Sequence, residues 1–145
     1  MQVYHDQDAL HRAVNDIRTL KGEVSTVLKA SPGGPNSAAL TAEGNALMAQ
    51  ASQIEGALMQ VNIKGSEANL NYPGMLNEQI YAFAGLLDDA DTAPNAQELE
   101  TYGGMHARLA AQLAEWSDLT KTKASAFCGH LREAAQSHPA ITTCP

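Results

Sequence analysis

The stretch Asp8–Leu28, DALHRAVNDIRTLKGEVSTVL, decides the fold. Its apolar positions Leu10, Ala13, Ile17, Leu20, Val24 and Val27 recur at alternating spacings of three and four. That spacing paints one narrow stripe on a helix, the pattern of a helix that lies along other helices. A lone helix of this length is marginal in water, so the stripe needs partners.

The rest of the chain supplies them. The first helix is expected over 5–29, with His5, Asp6 and Asp8 at its start as caps and dipole-compatible charges. It stops at Ser31-Pro32-Gly33-Gly34-Pro35, a strong helix breaker. A second helix over 37–63, capped by Asn36 or Ser37, carries Leu40, Gly44, Leu47, Ala51, Ile54, Leu58 and Val61. Its small Gly44 and Ala51 among large aliphatics suit interdigitating helices. Gly22 in the first helix is either a point of close approach or a tolerated weakness.

An irregular connection follows, in which Leu70 and Tyr72 are apolar enough to tuck under a helix end. Pro73 disfavours helix at Tyr72 and can open a third helix over 74–90, striped by Leu76, Ile80, Phe83, Leu87 and Ala90. After the turn Asp88–Pro94, capped at Thr92 or its neighbour, a fourth helix is expected over 95–134. Its stripe is Leu99, Tyr102, Met105 or His106, Leu109, Leu113 and Trp116, then Leu119, Lys123, Phe127 and Leu131, with a bend expected at Gly103-Gly104. The tail 135–145 has no helical pattern. Four helices joined by polar connections predict one all-α domain, an up-down-up-down four-helix bundle.

Composition narrows the function classes. The 145 residues suffice for one core, and only 5% are aromatic. Nine Lys and Arg against sixteen Asp and Glu give a formal charge of -7. With no basic stripe, this argues against nucleic acid and against an anionic membrane surface. No apolar run approaches the roughly 18–20 residues of a membrane span, and the N-terminus has no signal-peptide pattern. No cofactor is expected: no His pairs with another His or a Glu at ligand spacing, and Glu43 and Glu55 read as isolated. Cys128 beside His130 is poor geometry for a nucleophile on a helix.

Two features stay open. Asn15 and Arg18, three apart on the first helix, can brace the connection at Asn69, Asn71 and Tyr72, or form a ligand-binding notch with them. Cys128 and Cys144 can close a disulfide worth about 3 kcal/mol if the protein is exported, or stand as two unrelated thiols.

The ordered set AVNDIRTLK at 13–21, LNYP at 70–73, LNEQIYAFAGLLDDADTAP at 76–94 and LAAQLAEW at 109–116 is similar to the C-terminal helical region of a bacterial family. These are the sortilin-like, BNR-repeat, glycosyl hydrolase-like proteins, in which a long β-propeller precedes such a segment. The resemblance implies a non-enzymatic accessory domain of an exported propeller protein, packing on the propeller or on another protein. Any glycosidase activity would belong to the propeller, and no catalytic residue carries over. Met48, Met59, Met75 and Tyr81, beside the main stripes, are then candidate contacts. The alternative is a small-molecule-binding bundle or enzyme using Asn15, Arg18 and Tyr72. Heptad seams left open would lead to self-association, and a free-standing chain would be cytoplasmic.

Overall fold

The computed structural model describes residues 2–30, 37–65, 70–90 and 92–134. Among these it is all-helical, with no strand. Helix α1 spans Gln2–Ala30, α2 Ser37–Leu58, α3 Leu76–Asp88 and α4 Ala96–Leu119. Helix α4 passes through a π-helical segment, Thr120–Ala124, into α5, Ser125–Ala134.

The stripe of α1 is the core as read. Leu10, Ala13, Ile17, Leu20, Val24 and Val27 are all buried, and the same rhythm reaches back through Asp6 to Val3. Against it lie Leu47, Ala51, Ile54 and Leu58 of α2, Leu76, Ile80 and Phe83 of α3, and Met105 and Leu109 of α4. Helix α1 packs on α2, α3 and α4, whereas α5 packs on α2.

The directions of the helices differ from the up-down-up-down expectation. Arg18 and Lys21 of α1 meet Glu55 of α2, and Leu28 lies over Gly44, so α2 runs antiparallel to α1. Tyr4 of α1 meets Asp88 of α3, and His11 meets Asn77, so α3 also runs antiparallel to α1. Helices α2 and α3 are therefore successive parts of one descending line. On the other side, Arg108 meets Gln79, Lys123 meets Gln50, and His130 meets Glu43. One long ascending rod, α4 to α5, thus runs antiparallel to both. The architecture is three lines of helix with the middle line broken between Leu58 and Leu76. The connection is long enough to leave that line and rejoin it, and this is why short-loop reasoning reversed α3.

Local chemistry sets the ends. Helix α2 stops at Leu58 rather than 63, leaving Val61 46% exposed. Helix α3 starts after Met75, whose N–H donates to the Glu78 carboxylate at 2.8 Å. The same oxygen accepts the Gln60 N–H at 3.2 Å, so Glu78 holds the broken ends together. Asn95, not Thr92, caps α4: its side chain accepts the Glu98 N–H at 3.0 Å while Glu98 accepts the Asn95 N–H at 2.8 Å. His5, Asp6 and Asp8 lie inside α1 rather than ahead of it, and Asn36 lies outside the described residues.

Gly103-Gly104 does not interrupt α4; the irregularity falls at Thr120–Ala124. A π turn accommodates one extra residue, so the buried positions step by five from Leu119 to Ala124. Lys123, expected on the stripe, is exposed and donates to Gln50 at 2.7 Å. Among the described residues no helix is long and apolar enough to cross a membrane.

Candidate functional site

No described hydrogen bond joins the expected notch residues Asn15, Arg18, Asn71 and Tyr72 to one another. Arg18 turns to α2, where its Nε donates to Glu55 Oε1 at 2.6 Å and its Nη2 approaches Met59 Sδ at 3.5 Å. Lys21 Nζ donates to Glu55 Oε2 at 2.9 Å. Asn15, Asn71 and Tyr72 are exposed, and no described hydrogen bond joins them to Arg18. Asn69 lies outside the described residues, and Asn77 pairs with His11 at 2.8 Å. Leu70, at 84% exposure, and Tyr72, at 41%, stand in solvent instead of tucking under a helix end.

Glu55 is not isolated, because two cations fork onto its buried carboxylate. Burial acts to raise its pKa, and the bonds from Arg18 and Lys21 outweigh burial, holding it below the ordinary glutamate value. Glu43 likewise has a partner, His130 Nδ1 at 2.9 Å, and that bond raises the imidazole pKa.

The cluster that sequence reasoning missed is centred on Asp6. It occupies a core position of α1 yet carries a carboxylate that is 5% exposed. Tyr102 Oη donates to its Oδ2 at 2.6 Å, His106 Nδ1 to the same oxygen at 2.7 Å, and Gln2 Nε2 to Oδ1 at 3.2 Å. Burial again acts to raise the carboxyl pKa, and the three donors outweigh it, holding Asp6 low. Burial together with the bond to Asp6 pushes the Tyr102 phenol well up. Its ring stacks on Phe83, centroids 5.7 Å apart. Met105 points to the core while His106 turns to Asp6, which settles which of the two lies on the stripe. Chemically this is a charge-assisted brace joining α1 to α4, the phenol and imidazole replacing the water that a buried carboxylate would otherwise lose.

A trough of about 630 Å³ opens between α3 and α4. Phe83 and Met105 are its buried residues, Ala82, Leu86 and Gly104 line its sides, and Gln79 and Arg108 close one end. Of the other candidate contacts, Met48 and Met59 pack against the core and Tyr81 is 69% exposed. Cys128 is buried on α5, and Cys144 lies outside the described residues. Among the described residues no three His, Cys, Asp or Glu side chains gather where they could hold a metal ion.

No protein-family model, curated protein or solved structure matches the chain.

Proposed function

We propose that this chain is a non-enzymatic accessory domain of an exported protein, and that it binds the β-propeller portion of that protein. The connection between α2 and α3 makes the contact. One observation carries the reading: the described parts of this connection hold Val61, Leu70 and Tyr72 at 46%, 84% and 41% exposure. Large apolar side chains gathered on one connection are costly in water and gain their burial when a partner covers them. The ordered resemblance supports the propeller as that partner. A disulfide between Cys128 and Cys144 fits an exported setting and would fasten the chain end to α5.

The test is a calorimetric titration of the 145-residue chain with the propeller portion encoded alongside it. Association is expected, with the double substitution Leu70→Ser and Tyr72→Ser weakening it at least about tenfold, the effect of losing buried apolar anchors. Absence of association at roughly 100 μM, or full affinity in the double variant, would refute the reading.

A further inference from the structure

The trough between α3 and α4 is a second kind of feature, and none of the residues of the proposed docking connection lines it. Its volume of about 630 Å³ falls within the range of small-molecule sites. Its body is apolar: Phe83 and Met105, each 8% exposed, lie beneath Ala82 and the half-exposed Leu86. Along α4 the wall is lowered at Gly104, where an added Cβ would meet no atom within 4 Å.

The one charged side chain among the described lining residues, Arg108, sits at one end with Gln79, and Thr101 lines the other, its hydroxyl donating to the Gln97 carbonyl. Arg108 Nη1 donates to Gln79 Oε1 at 3.0 Å, and among the described residues no carboxylate lines the trough. The pairing of Arg108 differs from that of Arg12, which meets Asp8 at 2.6 Å, and of Arg18 and Lys21, which share Glu55. A guanidinium has five donors, and a neutral amide oxygen engages one of them without balancing its charge. In a chain of net charge -7, a cation at an apolar trough whose partner among the described residues is an amide is complementary to an anion. From the level of Gln79 and Arg108 to that of Leu86 is seven helical residues, about 10 Å at 1.5 Å per residue. That length matches an acyl chain of medium length.

We propose that the trough binds a small amphipathic carboxylate, such as a medium-chain fatty acid. Its chain lies over Phe83 and Met105, and its acid group is held by Arg108 with Gln79 beside it. The charge–carboxylate pair sets orientation, and the apolar contact supplies most of the affinity.

Sodium decanoate, below its micellar concentration, is titrated into the whole chain and followed by amide NMR, with decanol as the uncharged probe of equal length. Decanoate is expected to shift the amides of α3 and α4 around residues 79–86 and 101–108. It should bind at least about tenfold more tightly than decanol. Arg108→Gln removes that preference while leaving decanol binding unchanged. Gly104→Leu fills the trough and abolishes binding of both probes; Leu86→Glu, at a half-exposed position, blocks decanoate without touching the core. Equal affinity for decanoate and decanol, an unaffected Arg108→Gln variant, or shifts confined to other helices would each overturn the proposal. These outcomes are independent of the propeller titration, which uses neither Arg108 nor Gly104.

Discussion

Gly44 and Gly22 invite the same substitution and should answer differently. Both lie inside helices and neither has positive φ, so alanine gains about 1 kcal/mol of helix propensity at either site. At Gly22 an added Cβ would meet nothing within 4 Å, and Gly22→Ala should keep that gain of about 1 kcal/mol. At Gly44 the Cβ would lie 3.0 and 3.2 Å from the Leu28 methyls and 3.2 Å from Phe127 Cζ. Leu28 is half-buried and can move, but Phe127 is fully buried in the core. Overpacking of this kind costs about 1–3 kcal/mol, so Gly44→Ala should come out between neutral and about 2 kcal/mol destabilised. Urea unfolding monitored by far-UV circular dichroism separates the two, because the slope should stay constant while the midpoints move apart. In thermal melts the pair should differ by several degrees, at about 2–4 °C per kcal/mol for a chain of this size. Equal stabilisation by both substitutions would refute the junction of α1, α2 and α5 at Gly44. With it would fall the alignment of α2 against α5 described above.

Further outcomes test the other contacts. Asp6→Asn should cost about 1–3 kcal/mol at neutral pH, since Tyr102 and His106 lose a charged acceptor. The folded pKa of Asp6 lies below its unfolded value, so this contribution is present above about pH 4 and fades as pH falls through the folded pKa; the variant's acid unfolding limb should be correspondingly flatter. Glu55→Gln should cost about 1–2 kcal/mol, toward the low end because Arg18 is half-exposed, and its loss should be greatest above about pH 4.5 for the same reason of sign. Ile17→Ala should cost about 2–5 kcal/mol in urea unfolding, and a cost under about 0.5 would remove Ile17 from the core. Thiol titration in denaturant should find no reactive thiol before reduction and two after it, and two before it would exclude the Cys128–Cys144 bond.

The fold was legible where the pattern is local. The three-and-four spacing of α1 and the buried face of α2 through Leu58 follow from hydrophobic periodicity alone. Asp6 was missed because a carboxylate near a helix start reads as a cap. The available signal was the rhythm itself, which carries Leu10 back to Asp6 and Val3 at the same spacing. Its partners could not be read, since Tyr102 and His106 are about a hundred positions away and no local rule links them. Arg18 and Lys21 were visible as cations beside the stripe; that both converge on Glu55 depends on the register of α2, which only packing decides. The step to Lys123 failed because a heptad extended without a break cannot anticipate a π turn.

The break in the middle line and the π turn in the opposing rod solve related problems. A straight rod must keep one face toward α3 early and toward α2 later, over a span longer than either partner. Helical residues advance about 100° each, so a fixed stripe drifts around the rod as it lengthens. The extra residue at Thr120–Ala124 resets that phase, bringing Ala124, Phe127, Cys128 and Leu131 inward where Leu119 leaves off. The descending line meets the same difficulty by stopping. Leu58 ends α2 buried, the chain leaves the line, and Leu76 resumes buried with Glu78 tying both ends. The interruption puts Leu70 and Tyr72 into solvent, and the trough lies beside the resumed α3, against α4. The connection occupies this break, and the trough begins at Gln79 in the first turn of the resumed α3. Replacing the connection with a helical joint should retain the core stripe of α1 and lose propeller binding. Retained propeller affinity in such a variant would separate the connection from function.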